Sequence, residues 1–230
     1  MRLRRSPAGS AAEAFALAGR PADRVPWREA AWCALDLEMT GLDPRSDEII
    51  AIGAVPVEEG RVVLGGAMYT LVRASQRSNV GAVLVHKLRL ADVADAPPFD
   101  RALDRLLEML SGRVPVFHTA AIERAFLERP FARRHVRLPA AADTEALGRR
   151  WLRHRGESPP QPISLGRLAA ALGQPGEVPH HALADALSTA QVFVALASTL
   201  DAVEPQTVGS LLAASAGPAR LGAPRRFGPG

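Results

Sequence analysis

Apolar positions along the chain fall into two kinds of run. Short, nearly continuous ones at Trp32 to Glu38, Glu48 to Val57 and Arg61 to Val72 predict strands, the last two joined by a turn at Glu59-Gly60. Val114 to His118 predicts another short, buried strand. Elsewhere the apolar spacing is helical. Leu103, Leu106, Leu107 and Leu110 recur at i, i+3, i+4 and i+7, so an amphipathic helix is expected over 99–111, just after Pro97-Pro98. Further helices are expected at 120–129, near 144–153, and at 164–172, where Ser164 is a ready N-cap. A long helix is expected at 182–199, with Leu183, Ala186, Leu187, Ala190 and Val194 as its inner stripe. Ser10-Ala-Ala-Glu13 reads as a capping box opening a short helix near the N-terminus. Strands alternating with helices predict an α/β fold.

Composition narrows the class. The 230 residues are 47% hydrophobic and 23% charged, enough apolar surface for a buried core. The expected organisation is an N-terminal helical extension at 1–30, a main domain at 31–200, and a C-terminal helix with a mobile Gly/Pro/Ala/Arg-rich tail at 201–230. Cys33 is the only cysteine, which excludes a disulfide framework and a cysteine-based zinc site and favours a reducing compartment. No run approaches the roughly 18 apolar residues of a membrane helix, so no membrane partner is expected and the cytoplasm is the expected location.

The net charge is only +4, yet the sequence pI is about 10.4. Lys87 is the sole lysine, and every other cation is an arginine, which stays charged to about pH 12. The charge is also unevenly spread. Residues 31–123 carry nine basic against thirteen acidic groups, whereas 124–155 carry nine arginines against three acids. Such a block is either a solvated helical face or a surface for phosphates, which match the guanidinium fork.

Three clusters carry candidate chemistry. In Leu35-Asp36-Leu37-Glu38-Met39-Thr40-Gly41, Asp36 and Glu38 project from the same face of a buried strand, which is costly unless cations neutralise them. In the second, a strand delivers His118 to its end and Glu123 stands in the first turn of the next helix. Taken alone, Glu123 reads as an acid complementing the helix dipole. In the third, His180 and His181 precede a helix that carries Asp185 beside its apolar stripe. A buried aspartate there needs a partner, and a metal would satisfy it. Four carboxylates (Asp36, Glu38, Glu123 and Asp185) balance the charge of two Mg²⁺ ions, and a histidine is suited to take a proton near neutral pH. Paired hard cations about 3.5–4 Å apart suit phosphodiester hydrolysis.

These clusters resemble the three motifs of the DEDDh 3′–5′ exonuclease superfamily, which includes the epsilon proofreading exonuclease of bacterial DNA polymerase III, RNase T and oligoribonuclease. The first is Asp36-x-Glu38 with Thr40-Gly41-Leu42-Asp43-Pro44 and Asp47-Glu48-Ile49-Ile50; the third is His180-x-Ala182-x-x-Asp185-Ala186 with Thr189-Ala190. Val85-His86-Lys87 followed by Ala96-Pro97-Pro98-Phe99 resembles the epsilon-like connector, and Asp143-Thr144 the family's non-ligand Asp-Thr pair. The likeness covers about residues 31–198. The second motif departs from it: the family usually reads His-Asn-x-x-Phe-Asp, and here stands His118-Thr119-Ala-Ala-Ile122-Glu123.

The resemblance implies an RNase H-like exonuclease fold, a mixed five-stranded sheet flanked by helices, with two Mg²⁺ or Mn²⁺ ions as cofactors. It implies that Asp36 bridges both metals, Glu38 and Asp185 hold the first, Glu123 holds the second, and His180 deprotonates the attacking water. Met39, Thr40 and Gly41 would line the pocket of the 3′-terminal nucleotide. His118 is the aligned histidine of the second motif, in either a substrate-binding or a structural role. His86 is a weaker candidate, and His181 occupies a variable position. The expected activity is 3′–5′ hydrolysis at single-stranded DNA ends, releasing nucleoside 5′-monophosphates, with a DNA polymerase as a candidate partner. The alternatives are an oligoribonuclease-like enzyme acting on RNA 3′ ends, favoured by the wording of the first motif, and a non-catalytic nucleic-acid- or polymerase-binding module.

Overall fold

A computed structural model describes residues 6–76, 78–175 and 180–215. Its central strand is β1 (Trp32–Met39). The long β2 (Ile49–Glu58) pairs with it antiparallel, and β5 (Val114–Phe117) pairs parallel on the other side, followed by β6 (Ala142–Asp143). On the outer edge of β2 lie two short strands, β3 (Arg61–Val62) and β4 (Met68–Leu71). The continuous strand expected from Arg61 to Val72 is therefore broken. A single 3₁₀ turn at Leu64–Gly66 interrupts it, because Gly65 and Gly66 offer no side chain to pack on a sheet. With β3 and β4 sharing one edge, the sheet is the mixed one expected, its fifth strand in two pieces.

The period of two along β1 divides the core. Trp32 and Ala34 face one layer, together with Val55 and Val57 of β2 and Val114 and Val116 of β5. That layer is covered by α5 (Thr144–His154), α6 (Leu165–Ala171), α7 (Ala182–Asp201) and α8 (Val208–Ser215). Cys33, Leu35 and Leu37 face the other, against α1 (Ala11–Ala18), α3 (Phe99–Leu110) and α4 (Ala121–Arg133). Burial pushes the Cys33 thiol up to about 12. A short α2 (Val80–His86), capped by the Asn79 side chain accepting from Ala82 N–H, was not anticipated.

The helices follow their local signals. The leucines of α3 are all buried, Ser164 Oγ accepts from Arg167 N–H at the start of α6, and Ser10 Oγ accepts from Glu13 N–H at the start of α1. α4 extends to Arg133, through Pro130, beyond the expected end at 129. α7 has an 18-residue window of mean hydropathy 1.4, long and apolar enough by composition to cross a membrane, which the sequence reading overlooked. Here it is the central core helix, with Phe193 packed edge-on to Trp27 and tilted against Trp32. The segments on either side of the main sheet meet: Val208 N–H donates to Val25 O, and Trp27 N–H to Gln206 O. The tail beyond 215 lies outside the described residues.

Candidate active site

The face of β1 that buries Trp32 and Ala34 ends in Asp36 and Glu38, so the same alternation that builds the core delivers two carboxylates to its rim. α7 supplies the third. Asp185 stands in its first turn and accepts the His180 N–H at 2.7 Å, which fixes the carboxylate toward the sheet. One oxygen from each of Asp36, Glu38 and Asp185 lies within 4.8 Å of the other two. Glu123 is outside that set of three. It is buried in the first turn of α4, and its Oε2 has no hydrogen-bond partner.

Electrostatics tie the four together. Burial pushes Asp36 far above the ordinary carboxylate range, and Glu123, Glu38 and Asp185 push it further, in that order. Burial, then Asp185, moves Glu38 up to about 7. Burial moves Glu123 up to about 8, against its own backbone N–H and helped by Asp143. Asp185 is raised mainly by burial, with the His180 N–H opposing. Among the described residues, none of the four forms an ion pair with Lys, Arg or His. A cluster of buried and half-buried acids with no paired cation among the described residues, and with an orphaned Glu123 oxygen, fits hard divalent cations, which bind through oxygen.

Glu123 owes its place to a polar knot behind the site. The Asp143 carboxylate accepts from Thr119 N–H (3.3 Å) and Ala120 N–H (3.0 Å), which open α4. It also accepts from Glu145 N–H (2.9 Å) and Ala146 N–H (3.3 Å), capping α5. The Asp-Thr pair thus joins the starts of two helices.

The remaining predicted residues divide. Met39 and Gly41 line a cleft next to Glu38, with Leu42, Asn79, Ala82 and His86 completing its wall. Thr40 is buried. Its hydroxyl accepts from Glu48 N–H (2.9 Å) and donates to Asp47 Oδ1 (3.1 Å), so it ties the loop and does not line the cleft. A Cβ on Gly41 would overlap the Asp47 carboxylate, which is why glycine stands there. Of the two roles open to His118, the hydrogen bonds fit the structural one: one ring nitrogen bonds Thr144 Oγ1 (2.9 Å) and the other the Ile163 carbonyl (3.0 Å). His180 is exposed at the end of α7, open to water. His86 is buried beside the cleft, its Nδ1 accepting from Leu88 N–H (2.9 Å), and burial lowers its pKa.

Asn79 and Ala82 were missed because no periodic pattern announces a two-turn helix. The arginine block also resolves differently from a uniform phosphate surface. Arg134 pairs with Asp100 and Asp104, Arg124 with Glu128, Arg149 with Glu145, Arg150 with Glu204 and Arg155 with Glu157. Arg129, Arg133, Arg137 and Arg153 are exposed and form no ion pair among the described residues.

A mixed sheet whose central strand ends in two carboxylates, with a third on the last long helix crossing it, defines an RNase H-like nuclease. The RNase_T family model, described as an exonuclease, matches residues 33–193, and the chain belongs to that exonuclease family, within the DEDD superfamily. It is 32% identical over 200 residues to a DNA polymerase III subunit epsilon-like protein of Rhodobacter capsulatus, a match covering 86% of this chain and 27% of that protein. The chain spans between 12% and 29% of the length of the curated relatives it matches. In fold it is similar to Exonuclease X in complex with 5′ overhanging duplex DNA, with TM-score 0.63 and 22% identity over 80% of this chain and 99% of that one. It is likewise similar to Escherichia coli Exonuclease I in complex with a dA16 oligonucleotide, with TM-score 0.61 and 16% identity over 73% and 41% of the two chains.

Proposed function

We propose that this exonuclease removes nucleotides from the 3′ end of single-stranded DNA and releases nucleoside 5′-monophosphates. The observation that carries the reading is Asp36: a half-buried, strongly desolvated carboxylate flanked by Glu38, Asp185 and Glu123, with no protein cation paired to any of them among the described residues. Asp36, Glu38 and Asp185 would hold one Mg²⁺ or Mn²⁺, and Asp36 with Glu123 a second. When bound, such ions lower the pKa of a coordinated water and neutralise charge on a leaving oxygen. The protein's own part is positional. Met39 and Gly41 seat the terminal nucleotide against Glu38, and the exposed His180 takes the water's proton on a ring nitrogen. Glu123, its Oε2 without a hydrogen-bond partner, stands in the first turn of α4 where the family usually has aspartate. Exposed Arg133 and Arg137, two of the four unpaired arginines of the block, would meet a phosphate backbone.

The DNA-bound Exonuclease X and Exonuclease I support a DNA end as substrate, and the epsilon-like relative supports a place beside a DNA polymerase. A single buried thiol suits the reducing cytoplasm.

The test is degradation of a 5′-labelled single strand with Mn²⁺ or Mg²⁺. A ladder shortening from the 3′ end is expected, abolished in Asp36→Ala and in His180→Ala. Faster cleavage of a 2-nucleotide RNA than of DNA would replace the reading with the oligoribonuclease-like one. Binding without hydrolysis in either metal would leave only the accessory-module reading.

A further inference from the structure

Asp36, Gly53 and Tyr69 form a row across three strands, since Asp36 pairs with Gly53 on β2 and Gly53 with Tyr69 on β4. Directly paired residues project from the same face. The row therefore reads as a carboxylate, a position with no side chain, and an aromatic ring. The start of α7 sits on the bare position, where a Cβ on Gly53 would overlap the Ala182 carbonyl. One residue earlier, the His181 ring stacks on Tyr69, with centroids 4.6 Å apart and planes at 24°.

The start of α7 lacks the usual N-cap bond. His181 is its N-cap and makes no side-chain capping bond, although Ser, Thr, Asp or Asn would ordinarily satisfy an orphan N–H there. His180 has φ +65°, a conformation that a non-glycine residue keeps only where its surroundings impose it. Two contacts from outside the segment's own backbone supply that constraint: the Asp185 carboxylate on the His180 N–H, and Tyr69 on the His181 ring.

We propose that the Tyr69–His181 stack is a clasp that sets the direction from which His180 and Asp185 reach the carboxylate cluster. Tyr69 is then a positioning residue, acting through His181 on His180. This rests on the reading of His180 as the proton acceptor. The aromatic ring does the work and the hydroxyl is dispensable, since the contact is made face to face.

The test compares Tyr69→Phe, Tyr69→Ala, His181→Ala and the double variant Tyr69→Ala/His181→Ala. In metal-free protein, amide hydrogen exchange followed by NMR reads the His180 and Asp185 N–H groups directly. Exchange about tenfold faster in both single Ala variants, with Tyr69→Phe unchanged, is expected. On single-stranded DNA, kcat should fall about tenfold in each Ala variant at unchanged KM. The double variant should be no worse than either single one, because both remove the same contact. Unaltered exchange in His181→Ala, equal damage from Tyr69→Phe and Tyr69→Ala, or losses that multiply would overturn the clasp. His181 is exposed, so His181→Ala carries the test should Tyr69→Ala fail to fold. A wild-type protein without metal-dependent hydrolysis would defeat the nuclease reading alone, leaving the exchange measurement to decide the clasp.

Discussion

Thr119, at φ +64°, donates its backbone N–H to Asp143 and its hydroxyl to Glu145 Oε2 at 3.1 Å. A β-branched residue in the left-handed region is strained, by about 1–3 kcal/mol, and persists only because these bonds over-determine it. The motif that this segment resembles usually has asparagine here, which tolerates that region. Thr119→Asn should therefore raise the midpoint of thermal unfolding by roughly 2–4 °C. Thr119→Gly relieves the strain but loses the hydroxyl bond and should leave it nearly unchanged. A lowered midpoint in Thr119→Asn would show that the threonine is not strained.

Without metal, the acid cluster works against folding as pH rises. Burial, aided by Asp185 beside Glu38 and by Asp143 beside Glu123, places Glu38 at about 7 and Glu123 at about 8 in the folded protein, above their unfolded value of 4.5. Raised acids bind protons more tightly when folded, so their contribution is fully present below the unfolded pKa and disappears through the folded one. In EDTA the unfolding midpoint should fall by roughly 5–10 °C between pH 5 and pH 8.5. Mn²⁺ should restore it at the alkaline end. Calorimetry across that range with and without Mn²⁺ checks both.

Removing one charge separates stability from activity. Glu123→Gln keeps the side-chain size and deletes the acid that most strongly opposes Asp36 ionisation. The metal-free variant should unfold at a higher temperature than the parent at pH 8, while Mg²⁺-dependent cleavage falls at least about 100-fold. A variant that is both active and unshifted in stability would remove Glu123 from the site.

Gly53 should tolerate nothing larger. An added Cβ meets the backbone of Ala182, not a side chain that can swing away. Gly53→Ala is expected to lower stability by about 3 kcal/mol or more and to lose Asp185-dependent activity. Ala51→Gly, on the same strand and face, serves as the comparison by denaturant titration.

The arginines of 124–155 should not act alike. Arg134→Glu breaks pairs with Asp100 and Asp104 and should destabilise the fold, whereas Arg133→Glu and Arg137→Glu should leave the unfolding midpoint within about 2 °C. If the last two contact phosphate, their joint reversal should flatten the slope of log binding constant against log salt by roughly 1.4 on single strands. An unchanged slope would make them a solvated face.

Much of the candidate site's geometry was legible before any coordinates. Asp36 and Glu38 share a face because strands alternate, and Asp185 lies beside an apolar stripe whose burial the helical period dictates. What misled was local wording without its surroundings. Thr40 sits in a motif next to the site but spends its hydroxyl on Asp47 and the Glu48 N–H. His118 ends a strand at the right position, yet helix α5 and the 163 carbonyl already occupy both its nitrogens. Tyr69 was invisible, because nothing in a strand pattern tells which ring will meet a loop more than 100 residues away.

Periodicity and residue chemistry, which act over a few neighbours, determined the sequence of strands and helices, the burial of their inner faces, and the four acids and one histidine proposed for a metal-dependent nuclease site. The tertiary structure decided which of those groups are free. A histidine, hydroxyl or guanidinium is available to substrate only if no distant backbone or carboxylate has claimed it, and those partners come from elements far along the chain. The same long-range packing, through the bare face of Gly53 and the ring of Tyr69, sets where α7 begins and thus where His180 and Asp185 stand.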